Sequence, residues 1–214
     1  MFSDSNTMRS LDLFCGTKSF SKIASAKGYE THTLDILEKF NPTYLTDIME
    51  WDYKQFPPGH FDIIWASPNC KDYSCLNFFG ETKKGVAKDL TFSNNLIMRV
   101  LEIIEYYNPK YWYLENPATG KLKDQEFMVG LPSNDIDYCK YGYNYRKRTR
   151  VWNNNEHWIP NHLCCKNHYC EGKKIHKKHL GWDISRGSVH KVPKWEERIS
   201  IPPALMEQII DASV

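Results

Sequence analysis

The sequence predicts an α/β fold: a doubly wound, Rossmann-like sheet of mostly parallel strands with a small irregular insertion near its C-terminal end. Three observations carry that expectation. Short apolar runs alternate with a segment of helical spacing as far as Leu114. Polar and reactive residues gather where those runs end, at Asp12, Asp35, Asp47, Cys70 and Glu115. The periodicity then dissolves over residues 153–197 and returns in a short final helix.

Each element has its own signal. Residues 8–14 read as a strand that enters the small-residue turn Cys15-Gly16-Thr17-Lys18-Ser19. Phe20 to Lys27 has helical spacing and Gly28 stops it. Residues 30–34 form a second strand ending in Asp35, and 44–47 a short third. After the loop Pro57-Pro58-Gly59, the run 61–66 reads as a buried fourth strand. Between Lys83 and Tyr107 the pattern turns helical, with Leu96, Ile97, Val100, Leu101, Ile103 and Ile104 on one broad face. Asn108-Pro109 breaks it, and 111–114 is a fifth strand that ends at Glu115-Asn116-Pro117. The stretches 138–141 and 149–152 are expected as closing strands, and Pro202-Pro203 opens the final helix.

A chain of 214 residues builds one full core with little left for a second domain. With no long apolar run and no leader-like start, a soluble, intracellular protein is expected, in cytoplasm, nucleus or a viral factory. Seven cysteines in an enzyme-like sequence favour free thiols over a disulfide framework. The net charge of +2 conceals a strong asymmetry. Residues 1–137 hold 14 Lys/Arg against 19 Asp/Glu, whereas 138–198 hold 14 against 5. That basic third, interleaved with Tyr, Trp and His, suits a polyphosphate partner as well as it suits a solvated charged face.

The strand ends suggest chemistry when taken together. The turn after Asp12 brings a strand, a close backbone approach and a helix start together, so that main-chain N–H groups can meet a cofactor. Asp35 follows about 20 residues on, a spacing suited to a ribose diol. Dinucleotides and S-adenosylmethionine both fit, and a single glycine followed two positions later by Lys18 favours the cofactor without a pyrophosphate. Asp47 is placed to accept from an adenine amine. Cys70 lies in a Pro-Asn turn at the carboxyl end of a strand, where such a sheet presents groups to a ligand. A thiolate there and the carboxyl group of Glu115 can activate an electron-poor ring, the thiolate by adding to it and the carboxyl by steadying the ring nitrogen. Arg146, Arg148 and Arg150 alternate, so they project to one side of a strand, toward the crevice or a phosphate backbone.

At these residues the chain resembles the cytosine-C5 DNA methyltransferases. Leu11-Asp12-Leu13-Phe14-Cys15-Gly16 is similar to their first cofactor motif, and Ser67-Pro68-Asn69-Cys70 to their Pro-Pro-Cys nucleophile turn. Glu115-Asn116-Pro117 resembles Glu-Asn-Val, and residues 148–152 the tail of Gln-x-Arg-x-Arg. The resemblance implies an S-adenosylmethionine-dependent methyltransferase sheet acting on cytosine, most readily in DNA and less readily in RNA. It implies that Cys70 attacks C6 of a flipped base, that Glu115 contacts N3, and that Arg148 or Arg150 holds the base carbonyl or positions a catalytic loop. That loop would be residues 71–77. Asp12, Phe14, Cys15, Gly16, Asp35, Ile36, Asp47, Ile48 and Pro68 would make the cofactor site. The chain departs from the family where Asn69 replaces proline, where Lys18 stands at a second glycine, and where the usual Gly-Asn-Ser-Val motif is missing.

The expected organisation is therefore a catalytic body over 1–152, a reduced target-recognition segment over 153–197, and a closing helix over 198–214. The segment holds Cys164, Cys165, His168, Cys170, His176 and His179. Cys165-x-x-His168 has a usable zinc spacing, yet no clean Cys-x-x-Cys pair accompanies it, so free thiols are the first expectation and a metal the second. A protein that keeps the fold but only binds nucleic acid, and an enzyme of free pyrimidine nucleotides, are the rival readings.

Overall fold

The computed structural model describes residues 7–73, 89–143, 145–164, 196 and 199–214. Seven strands form one sheet: β1 (Arg9–Leu13), β2 (Glu30–Asp35), β3 (Tyr44–Leu45), β4 (Ile63–Ala66), β5 (Tyr111–Pro117), β6 (Ser133–Asp137) and β7 (Arg148–Asn153). Their spatial order is β3-β2-β1-β4-β5-β7-β6. The first five run parallel, and β7 is inserted antiparallel to both β5 and β6. The order reverses between β1 and β4, so the loops after these strands part there and open a crevice at their carboxyl ends.

Side-chain alternation divides the core into two layers. Leu11, Leu13, Ile64, Ala66, Leu114 and Trp152 face one way. Against them lies α2 (Thr91–Tyr107), through Ile97, Val100, Ile103, Ile104 and Tyr107. Ile63, Trp65, Tyr113 and Val151 face the other way. There α1 (Ser19–Ala26) and α3 (Pro203–Asp211) cover them with Phe20, Ala24, Leu205, Met206, Ile209 and Ile210. Lys27 pairs with Asp211 where those two helices meet. Tyr113 is locked into this layer by Ser213 Oγ at 2.8 Å and by Asn155 Nδ2 at 2.7 Å.

The doubly wound fold stands as expected, with differences at element ends. The expected strand over 138–141 is instead a 3-10 turn, Tyr138–Tyr141, and the sixth strand is Ser133–Asp137 just before it. As an edge strand it needs little apolar surface, and only Ile136 and Asp137 of its five residues are buried. The third strand stops at Leu45 because the Asp47 carboxylate accepts from Met49 N at 2.9 Å and turns the chain. The long helix begins at Thr91, whose N–H donates to the Asp89 side chain at 2.9 Å. Residues 83–88 of the expected helical stretch lie outside the described residues.

Candidate active site

The turn after β1 is built from unusual backbone. Phe14, Gly16 and Lys18 have φ of 59°, 47° and 59°, in the left-handed region that favours glycine. Lys18 thus adopts the conformation that a second glycine would take freely, and its ammonium donates to Asn41 O at 2.6 Å. Two non-glycine residues in that region cost about 1–2 kcal/mol each, so other contacts must hold the turn. Asp35 supplies them. Its two carboxylate oxygens accept from Gly16 N and Leu37 N, each at 2.9 Å. The Ser67 hydroxyl adds a bond to Phe14 O at 3.4 Å and joins this turn to the loop after β4. Beside it lies a cleft of about 460 Å³ lined by Gly16, Thr17, Lys18, Lys22, Lys39 and Phe40.

The other expected cofactor residues divide into two groups. Asp12 is buried beneath the turn, where burial pushes its carboxyl up to about 7 although Ser21 N–H donates to it at 3.3 Å. Cys15 is buried too, and burial raises its thiol to about 12, which removes it as a nucleophile. These two support the turn, and Ile48 and Pro68 are likewise buried. Phe14 and Asp47 are half-buried, whereas Ile36 is 63% exposed. The guanidinium of Arg99 on α2 donates to Ile48 O at 3.3 Å and Met49 O at 3.0 Å, fixing the loop that carries Asp47.

Cys70 lies just beyond β4. Asn69, the departure from Pro-Pro-Cys, closes the turn in its own way, because its side-chain oxygen accepts from Lys71 N at 3.0 Å. Asn116 Nδ2 donates to Pro68 O at 3.2 Å and couples the Cys70 loop to the end of β5. Glu115, 5% exposed, stands on that same strand end. Its Oε1 accepts from the Tyr138 hydroxyl at 3.1 Å and meets Lys147 Nζ at 3.5 Å. Burial raises the Cys70 thiol and Glu115 adds to the shift, while the Lys147 charge opposes it. The resting thiol is therefore protonated at neutral pH and needs a base or a bound substrate to become a thiolate.

Sequence reasoning missed Tyr138 and Lys147. Topology brings them here. β6 runs parallel to β5, so Tyr138 emerges at the same edge as Glu115, and the reversed β7 starts there, just after Lys147. Alternation carried a signal for the lysine, since Glu115 pairs with Val151, and Val151, Thr149 and Lys147 share one side. Nothing local marks Tyr138.

The same register sets the face on which the arginines lie. Arg148 and Arg150 leave β7 on the face opposite Glu115, each beside an aspartate of β6. Arg148 grips Asp137 through Nε at 2.9 Å and Nη2 at 2.6 Å, and Arg146 adds a contact at 3.2 Å. Arg150 grips Asp135 at 2.7 and 3.2 Å. Asp137 has no exposed surface and also accepts from Cys164 N at 2.9 Å. Burial opposes its ionisation, but Arg148 and the Cys164 N–H outweigh burial and hold its carboxyl below the usual range. Of the possible metal ligands, Cys164 is buried against Cys139, while Cys165, His168, Cys170, His176 and His179 lie outside the described residues. Among the described residues no group of three or more His, Cys, Asp or Glu could hold a metal ion. Ser74 and residues 75–77 of the expected mobile loop also lie outside them.

Residues 8–146 match the family described as C-5 cytosine-specific DNA methylase. The chain belongs to that family. Its chemistry is transfer of a methyl group from S-adenosylmethionine to C5 of cytosine in DNA. A protein of Frog virus 3 (isolate Goorha), named a probable DNA (cytosine-5)-methyltransferase, is 36% identical over 95% of this chain and 99% of its own length. Two solved structures share the fold. One is assigned as a DNA modification methyltransferase encoded within an E. coli prophage, with a TM-score of 0.51, 15% identity, and coverage of 74% of this chain and 52% of that one. The other is the Entamoeba histolytica methyltransferase EhMeth, with a TM-score of 0.52, 12% identity, and coverage of 75% and 58%. The chain thus spans a little over half the length of these structures. Among the described residues no helix is long and apolar enough to cross a membrane.

Proposed function

We propose that this chain methylates cytosine at C5 in DNA with Cys70 as nucleophile and Glu115 as the group that meets the base. The observation that carries the reading is the meeting of the Cys70 loop and Glu115 at one edge of the sheet, coupled through Asn116 and Pro68. A base flipped into this crevice would present C6 to the thiol and N3 to the carboxyl. As the C6–S bond forms, electron density moves to C5, which takes the methyl group. Loss of the C5 proton then expels the Cys70 thiolate and restores the ring.

S-adenosylmethionine supplies the methyl group when bound, and the residues suit it. Gly16 and Asp35 shape the turn it would lie against, the exposed side chain of Ile36 offers an apolar surface for a flat ring, and Asp47 stands at the end of the neighbouring loop. Asp12, Cys15, Ile48 and Pro68 act from below, by fixing that surface. Arg148 and Arg150 act as a brace, because their guanidinium groups are engaged by Asp137 and Asp135. The positive surface for phosphates then falls to the lysines of the 153–197 segment, which serves as a short recognition element.

The test is incubation of the full chain with tritiated S-adenosylmethionine and unmethylated duplex DNA, with RNA in parallel, followed by nucleoside analysis. Label in 5-methylcytosine from DNA is the expected result. Label from RNA alone would move the substrate, and no label despite bound cofactor would leave a nucleic-acid binder that keeps the fold.

A further inference from the structure

The two oxygens of Glu115 are not equivalent in this fold. Oε1 accepts from the Tyr138 hydroxyl at 3.1 Å and lies 3.5 Å from Lys147 Nζ. Lys147 Nζ also reaches the Tyr138 oxygen at 3.5 Å and stands 4.7 Å from the centre of its ring. The three groups form a relay of donors in which lysine supports tyrosine and tyrosine supports carboxylate. No described residue donates to Oε2. Burial and the facing Glu115 raise the Tyr138 phenol well above its ordinary range, so it remains a hydroxyl donor wherever the protein is folded.

A carboxyl group with both of its donors at one oxygen leaves the other oxygen to face a ligand. We propose that Tyr138 and Lys147 are positioning residues that clamp Glu115 through Oε1 and reserve Oε2 for the ring nitrogen of the flipped base. The clamp rests on the assignment of Glu115 made above. It fixes where Oε2 meets the ring nitrogen, so it acts on the step in which the ring gains charge and leaves substrate binding largely alone.

The experiment is a double-mutant cycle on the full chain, with single-turnover rates and KM measured on unmethylated duplex DNA with S-adenosylmethionine. Tyr138→Phe keeps the ring, including its edge contact with Tyr143, and removes only the donor. It should slow methyl transfer by about 10-fold or more with KM changed by less than about twofold. In a Glu115→Gln background the same change should cost less than about twofold, because the group it serves is gone. Lys147→Met should slow transfer by about three- to tenfold and Lys147→Arg should recover most of it. Equal losses from Tyr138→Phe in both backgrounds, or a loss confined to KM, would overturn the clamp while leaving Glu115 in its role. Wild-type turnover in Glu115→Gln would overturn the role of Glu115 itself, and the clamp with it. Should Tyr138→Phe fail to fold, the Lys147 pair decides, since full activity in Lys147→Met contradicts the relay.

Discussion

The two sides of the crevice are made of different materials. On the β1–β2 side the working surface is main chain, a turn with three left-handed residues pinned by one aspartate through Gly16 N and Leu37 N. On the β4–β7 side it is side chain: Cys70, Glu115, Tyr138 and Lys147 from four separate segments, with two of its contacts at 3.5 Å. The first half is local and stiff, held by Asp35 and by the Ser67 hydroxyl. The second depends on strand order, and its parts are shared among many residues. Changes on the first side should therefore appear in cofactor affinity and changes on the second in the rate of the chemical step.

The sharpest contrast comes from the base side. Cys70→Ser should lower methyl transfer by about 10³-fold or more, with binding of S-adenosylmethionine within about twofold of wild type. Isothermal titration and a label-transfer assay check the two halves. Glu115→Gln should follow with a loss of about 10²-fold in rate and little change in cofactor binding.

On the cofactor side, Asp35→Ala should invert that pattern. It leaves Gly16 N and Leu37 N without their acceptor, weakening S-adenosylmethionine by about tenfold or more while turnover at saturating cofactor stays within about threefold. Equal losses in affinity and rate would erase the distinction between the two sides.

The brace behind the base side separates by burial. Arg148→Ala strips the fully buried Asp137 of its bidentate partner and should cost about 3 kcal/mol. Arg150→Ala breaks a half-exposed pair with Asp135 and should cost about 1 kcal/mol or less. Urea denaturation of both variants makes the comparison.

Asp12 gives the gentlest test, through pH. Its carboxyl moves from 3.8 to about 7 on folding, so the folded state binds the proton more tightly than the unfolded chain. The stability this contributes is fully present below about pH 4 and is lost as pH rises toward about 7. Thermal midpoints of Asp12→Asn between those limits should therefore fall less steeply with pH than those of wild type.

Legibility in the sequence follows the same division. Asp12, Gly16, Asp35 and Cys70 stand out in the sequence because each lies at or just after a strand end within a short motif, and strand ends follow from hydrophobic period. The left-handed Lys18 was not readable, since a lysine there gives no sign that Asp35 and the Ser67 loop steady the turn. Alternation shows that the arginines share one side of a strand but not which face of the sheet that side joins. That depends on the antiparallel pairing of β7 with β5, which local sequence does not encode. Tyr138 was hidden for a related reason. Its neighbours look like a strand, whereas β6 ends at Asp137 and the chain turns through a 3-10 segment that begins at Tyr138.

The most direct measurement uses duplex DNA in which the target cytosine is replaced by 5-fluorocytosine, incubated with the full chain and S-adenosylmethionine. Fluorine at C5 blocks the final elimination and preserves the bond to C6. A denaturation-resistant protein–DNA adduct, mapped by peptide mass spectrometry to Cys70 and missing from Cys70→Ser, is the result this account predicts. An adduct at another cysteine, or methyl transfer that survives in Cys70→Ser, would contradict it.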